Sequence, residues 1–225
     1  MDRKKFLRNG ILGFGSLVAA PTLLTSCDDG TVDPNACEVS PSETAGPFPI
    51  KSPADWVRAN VIGDRNGIAL MINMTIQNTK DDCKPLAGAL VDIWHCDADG
   101  NYSEYNEQLD GDFTSEHFLR GRQTTDGDGN VSFISIYPGW YPGRAPHIHF
   151  EILDSDGKSL LIGQTAFPNE ISKTVYADSN YKGDADTSNE NDGVFDGSLA
   201  GNMANSVTGN NTDGYVLNAT IKVKG

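Results

Sequence analysis

Short apolar stretches separated by Gly-, Asn- and Asp-rich turns recur from Ile68 to Val223, and almost nothing repeats with helical period. A chain that reverses so often buries apolar surface by stacking sheets, because each strand offers only one face to a core. Residues 68–77 alternate apolar and polar side chains and are rich in β-branched residues, which predicts a strand. Residues 86–94, opened by Pro85 and Gly88, predict another, and 97–101 predict a turn. Residues 121–125 and 131–136, joined through Asp126-Gly127-Asp128-Gly129-Asn130, read as a hairpin. Further strands are expected at 147–153, 160–167 and 215–223, with 178–212 a polar loop excursion. The fold class is all-β, an antiparallel β-sandwich with long loops.

The first residues belong to a different problem. Arg3, Lys4, Lys5 and Arg8 precede an uncharged apolar stretch, 11–24, that ends in Leu24-Thr25-Ser26-Cys27. This reads as a signal peptide over 1–26 followed by a lipobox-like sequence, with Cys27 the lipidated first residue of the mature protein. Residues 27–40 are then a lipid-anchored tether and 41–225 the folded domain, exported and held to the cell envelope. A plain secretory signal with an incidental Cys27 is the alternative. The basic start also resembles a twin-arginine export signal, with Lys4 in place of the second Arg. The whole chain of 225 residues carries 17 basic and 31 acidic residues, a net −14. Without 1–26 these become 13 and 30, a net −17. A polyanion needs a basic face, so nucleic acid is excluded as a partner. No apolar run beyond the first thirty residues approaches the length of a membrane span, which excludes a multi-span membrane protein.

Lipidation of Cys27 leaves three cysteines in an oxidising compartment. Cys37 and Cys83 sit in polar, turn-like segments and are expected to pair, whereas Cys96 follows Trp94-His95 in an apolar strand and is expected to be a buried thiol. The most informative segment is Tyr137-Pro138-Gly139-Trp140-Tyr141-Pro142-Gly143-Arg144-Ala145-Pro146-His147-Ile148-His149. On a strand His147 and His149 point to one face and Ile148 to the other. A shared metal is the simplest reason to place two imidazoles side by side. Incidental histidines on an exposed strand are the bland alternative, disfavoured because the chain has only 4 His and the preceding loop is stiffened by three prolines. Nearby tyrosines decide the metal. A phenol has a pKa of about 10, and a hard, strongly Lewis-acidic ion is needed to ionise it. Two His with two Tyr therefore point to ferric iron, Fe(3+).

Thr44-Ala45-Gly46-Pro47-Phe48, the run Val91-Asp92-Ile93-Trp94-His95-Cys96-Asp97-Ala98-Asp99-Gly100-Asn101-Tyr102-Ser103, Arg120-Gly121-Arg122-Gln123-Thr124-Thr125-Asp126 and the 137–149 block together resemble the intradiol ring-cleavage dioxygenases, in particular an exported branch similar to the protocatechuate 3,4-dioxygenase β subunit. The resemblance covers roughly 37–223. It implies an iron(III) enzyme that uses O2 to cleave a catechol between its two hydroxyl carbons, giving a muconate-type diacid. By motif it places iron ligands at Tyr102, Tyr141, His147 and His149. It makes Tyr141 the ligand that takes a substrate proton, and Arg144 and Gln164 the groups that stabilise negative charge. Phe48 stands where many relatives have Tyr.

Tyr105 and Tyr137 are rivals as ligands; Tyr137 is expected to pack and Tyr105 to lie near the pocket mouth. His95 reads as a satisfied strand histidine, with an outer role at the metal as the alternative, and His117 as surface. Asp97-x-Asp99-x-Asn101 and Asp126-x-Asp128-x-Asn130 lack the remainder of a calcium loop and read as turns. The acidic run 184–192 reads as a solvated loop. A carboxylated catechol would need a basic group beyond Arg144, with Arg58, Arg65, Arg120 and Arg122 the candidates. The expected partners are a catechol and O2, with membrane contact only through the lipid; a homo-oligomer is left open. The competing reading is a catalytically silent β-sandwich that serves as a surface-anchored binding module.

Overall fold

Strand β1, Ala69–Asn78, realises the alternation of its sequence: Leu70, Ile72, Met74 and Ile76 are buried and the residues between them are not. It organises one sheet, pairing with β2 (Lys84–Pro85), with β5 (Asn130–Ile136) and with β9 (Gly214–Val223), which in turn pairs with β8 (Ser206–Asn210). The second sheet has the order β4 (Arg120–Thr124), β3 (Leu90–Trp94), β6 (His147–Leu153), β7 (Ser159–Ala166). Every pairing is antiparallel except β1 with β9, which is parallel. The inner faces meet in one core, where Leu70, Ile72 and Phe133 of the first sheet join Ile93, Phe150 and Ile152 of the second. This computed structural model describes residues 37–225. The expected signal peptide, Cys27 and the tether through residue 36 lie outside the described residues.

Two expectations are corrected. Residues 121–125 and 131–136 do not form a hairpin: β4 pairs with β3 and β5 with β1, in different sheets. The extended segment 57–61 takes the place between them. Arg58 N donates to the Arg122 carbonyl at 3.1 Å, and Val61 N to the Ile134 carbonyl at 3.0 Å. The 126–130 turn is thus a corner between sheets, closed by the Asp126 carboxylate accepting from Asp128 N and Asn130 N. Nor is 178–212 a loop throughout, since it contains β8 and a short helix, Leu199–Asn202. A longer helix, α1 (Asn169–Tyr176), follows β7 and buries Ser172, Val175 and Tyr176.

The outer face of the second sheet carries the chemistry. In an antiparallel pair, residues directly opposite each other share a face. Arg120 opposes Trp94, Trp94 opposes His149, and His149 opposes Gln164. One row of four side chains therefore crosses the whole sheet on the face away from the core. Loops cover it. Cys37 and Cys83 are joined by a disulfide, and the strap that follows Cys37 runs along this face; Cys96 is a buried free thiol. The strap is pinned where Ser40 N donates to the Lys222 carbonyl at 2.9 Å and Glu43 N to the Ile162 carbonyl at 3.0 Å.

Candidate metal centre

His147 and His149 leave β6 on the outer face, while Ile148 between them joins the core. The His147 Nδ1 lies 2.6 Å from the Ala145 carbonyl, which can only accept, so Nδ1 holds the proton and Nε2 is left as a lone pair. That Nε2 faces the Nε2 of His149 at 3.1 Å. Burial, with the Arg144 charge adding to it, pushes His147 down to about 3. Burial and then His147 and Arg144 push His149 well below the ordinary imidazole range. Both rings are therefore neutral, the form in which an imidazole ligates a metal. Trp94 lies parallel to His149 at 5.1 Å between ring centroids and fixes its plane.

Two loops deliver the phenols. Tyr102 follows the 97–101 turn, in which the Asp97 carboxylate accepts from Asp99 N at 3.1 Å and Asn101 N at 2.8 Å. Tyr141 sits in the 137–146 loop, which crosses that turn so closely that glycine is required on both. A Cβ on Gly100 would stand 2.3 Å from the Trp140 carbonyl oxygen, and one on Gly139 would stand 2.4 Å from the Asp97 carbonyl oxygen. The contact brings Tyr102 and Tyr141 edge to face, 5.7 Å between centroids. The Tyr141 hydroxyl lies 3.4 Å from His147 Nε2.

The Tyr102 hydroxyl is fully buried without a well-formed hydrogen bond, with the Tyr141 hydroxyl close enough to interact with it. Burial, with Tyr141 adding to it, raises its pKa well above the ordinary phenol value, and burial likewise raises Tyr141 against the opposing Arg144 charge. An orphaned buried hydroxyl is costly unless something absent from the protein alone receives it. A cation does so, since it both accepts the oxygen lone pair and reverses the preference for the protonated form. Among the described residues no three His, Cys, Asp or Glu side chains cluster around a metal position. The donor set that does converge is mixed, two imidazoles and two phenols, and it fits a hard trivalent ion such as ferric iron.

Arg144 and Gln164 stand at the same place. A turn in which Arg144 N donates to the Tyr141 carbonyl puts the two side chains together. Arg144 donates to the Tyr141 hydroxyl at 3.3 Å and to Gln164 Oε1 at 2.5 Å. Gln164 Nε2 donates to the Thr44 carbonyl at 2.8 Å, and Gly46 packs against the His149 ring, so the strap forms one wall. Phe48 lies against Tyr102 at 5.0 Å and Tyr105 at 5.2 Å.

Every sequence-predicted site residue described here except the two disulfide cysteines thus meets at one point. The rivals do not. Tyr137 is buried in the core with its hydroxyl on Ser172, and the Tyr105 hydroxyl donates to the Pro49 carbonyl at 2.7 Å. His95 is buried between the Cys96 carbonyl and the Ser135 hydroxyl, and His117 stacks on Trp56 while facing Glu104. All four candidate arginines are engaged. Arg58 donates to the Arg120 carbonyl, Arg65 pairs with Asp64, Arg120 donates to Ser103 and the Phe48 carbonyl, and Arg122 pairs with Asp92. Sequence reasoning missed Trp94 as the brace of His149. It also missed Asp192, whose carboxylate is fully buried against Arg144 in a run expected to be solvated. Nothing local in the sequence separates Asp192 from its exposed neighbours Asp184 and Asp186.

Comparison with known proteins bears on this arrangement. A family model described as Dioxygenase matches residues 48–178. The protocatechuate 3,4-dioxygenase beta chain of Burkholderia cepacia is 34% identical over 94 residues, covering 39% of this chain and 40% of its own length. The chlorocatechol 1,2-dioxygenase of Rhodococcus opacus is 31% identical over 130 residues, covering 49% and 46%. The chain thus spans less than half the length of these curated relatives. Among solved structures, an intradiol ring-cleavage dioxygenase from Tetranychus urticae superposes with a TM-score of 0.73 at 30% identity, over 83% of this chain and 95% of that one.

Proposed function

The chain belongs to the intradiol ring-cleavage dioxygenases, and from that membership and the site geometry we propose that it is a ferric dioxygenase that opens a catechol-type ring between its two hydroxyl carbons. The observation that carries the reading is the convergence of Tyr102, Tyr141, His147 and His149, with an orphaned phenol among them. A silent binding module has no use for such a set. These four residues would hold ferric iron, which would supply the Lewis acidity needed to orient a doubly ionised catechol and make its ring reactive toward O2.

The remaining work falls to the protein. Tyr141 shares its hydroxyl with Arg144 and His147, so it is the phenol placed to take up a catechol proton. Arg144 presents two terminal N–H groups to the same space, where negative charge grows on the substrate oxygens as the ring opens. Gln164, held by the Thr44 carbonyl, keeps its side-chain oxygen on Arg144 and fixes the direction of that guanidinium. Trp94, Phe48 and Ile162 keep the donors dry, which strengthens each of these interactions. Because Arg58, Arg65, Arg120 and Arg122 are all engaged within the protein, an uncharged catechol is favoured over a carboxylated one. The net −17 of the mature chain favours the same choice at long range.

Two measurements test this. Iron-loaded protein should be red-brown from tyrosinate-to-iron charge transfer, and Tyr141→Phe or His147→Ala should bleach it. Oxygen uptake with catechol, alkylcatechols and protocatechuate, followed by mass analysis, should give a ring-opened diacid carrying both oxygen atoms, with the uncharged substrates turned over best. Colourless protein that binds no iron, or cleavage beside rather than between the hydroxyls, sinks the reading. The proposal extends to export and lipid attachment at Cys27, supported by the sequence alone. Mass analysis of the envelope-bound protein should find diacylglycerol on Cys27, and Cys27→Ser should release the protein in soluble form.

A further inference from the structure

The Asp192 carboxylate lies outside the stretch matched by the family model. It is buried, yet it accepts from several N–H groups. Arg144 Nε is 2.9 Å from each of its two oxygens, Ala145 N is 2.8 Å from Oδ2, and Val194 N is 2.9 Å from Oδ1. A carboxylate taken out of water is costly unless such donors surround it. This one is fully supplied, and it is held by the backbone of its own segment, where Phe195 N donates to the Asp192 carbonyl at 3.0 Å. The Phe195 ring, also buried, lies 5.7 Å from the guanidinium carbon of Arg144.

The consequence is directional. A guanidinium is a rigid plane with five donors, so fixing the Nε edge fixes where both terminal nitrogens point. With Nε on Asp192, one terminal nitrogen of Arg144 reaches the Tyr141 hydroxyl and the other reaches Gln164. The carboxylate touches neither phenol nor imidazole of the donor set. Its contacts are with Arg144 and with backbone N–H groups.

We propose that Asp192 is a positioning residue for the reaction: it clamps the inner edge of Arg144 so that the outer edge stays aimed at Tyr141 and the substrate oxygens. The role rests on the dioxygenase reading above. Arg144 is the one side chain that Asp192 hydrogen-bonds, so the two residues are expected to behave chiefly as one unit rather than as two independent contributions.

The test is a double-variant cycle on iron-loaded protein with Asp192→Asn, Arg144→Met and both together. Asp192→Asn should lower kcat about 10- to 100-fold, the range seen when an outer partner of a site residue is lost. KM, iron content and the charge-transfer band should stay near wild type. Adding Asp192→Asn to Arg144→Met should change kcat less than twofold. Wild-type kcat in Asp192→Asn, or losses that multiply in the double variant, overturns the proposal. If Asp192→Asn does not fold, Asp192→Glu keeps the charge on a longer arm and is expected to show the same loss of kcat at unchanged iron content. The same cycle read by urea midpoint needs no turnover. It should show the double variant losing less than the sum of the singles, and strict additivity overturns the pairing. Wild-type protein that consumes no O2 with any catechol while the urea cycle still shows coupling overturns the dioxygenase reading, and with it the positioning role, but leaves the ion pair standing.

Discussion

The buried hydroxyl of Tyr102 has opposite values with and without metal. In metal-free protein it is an unsatisfied donor in a dry place, which costs about 1–3 kcal/mol. Tyr102→Phe should therefore make the metal-stripped protein more stable, by about 1 kcal/mol, while weakening iron binding and the charge-transfer band. Urea unfolding of stripped wild type and variant, beside an iron titration of each, checks both halves. His95, which is not itself one of the four donors, supplies a further pH dependence. Its Nδ1 donates to the Cys96 carbonyl at 2.7 Å and its Nε2 meets the Ser135 hydroxyl at 2.7 Å. Burial, aided by the Arg120 charge and opposed by the carbonyl bond, brings it from 6.5 to about 4. The unfolded chain takes up a proton as pH falls below 6.5, and the folded chain resists until about 4. Stability is therefore full above pH 6.5 and falls across that window, by about 3 kcal/mol from this group. His95→Gln should flatten the acid limb of the stability curve between those limits, and an unchanged limb refutes the assignment.

At the scale of elements, the site depends on two loops crossing without side chains between them. Gly100 has φ +91° and no room toward the Trp140 carbonyl. Gly100→Ala should cost about 2 kcal/mol or more and lower kcat, because the 137–146 loop must lift Tyr141 away from Tyr102. Gly127, with open space where a Cβ would go, is the control, and Gly127→Ala should stay within about 0.5 kcal/mol. Thermal unfolding of the two variants separates them. The same scale explains what could be read in advance. β1 is legible because its alternation is strict and it buries one clean face, and β6 because polar and apolar residues alternate from His147 to Ile152 although both of its faces are covered. β8 is not, since of Ser206–Asn210 only Val207 is buried and nothing local marks the others as paired. The separation of β4 from β5 depends on where 57–61 inserts, a long-range fact invisible at the turn. His147, His149 and the phenol-bearing motifs were legible because rare residue types fall at fixed spacing. Asp192 was not, because an acidic residue among acidic residues carries no mark until Arg144 is brought against it.

Across the whole molecule, the Cys37–Cys83 bond closes a ring of sequence separation 46. In the chain-entropy account such a closure contributes about 4 kcal/mol, so Cys83→Ala, or reduction, should lower the urea midpoint accordingly. The loss should reach the site as well, because the strap after Cys37 carries the Thr44 carbonyl that holds Gln164 and the Gly46 that meets His149. Glu43 fastens that strap from the other side, accepting from Ser198 at 2.6 Å and Asn202 at 2.7 Å. Reduced protein should therefore lose kcat at temperatures where it is still folded, measured by oxygen uptake against circular dichroism in parallel.

The position of that crosslink would have a mechanical meaning for a domain anchored, as proposed, through Cys27. Tension arriving along the chain enters at Cys37 and finds two routes onward, the strap over the site and the covalent bridge to Cys83. The bridge is stiff and leads directly into the turn before β2, at the edge of the sheet that carries no donor. The bridge thus offers force a covalent route into that sheet ahead of the hydrogen bonds that pin the strap from Ser40 onward. In a domain anchored through Cys27, as proposed, a pull would be led off at Cys37, ahead of Thr44 and Gly46, where the strap meets the site.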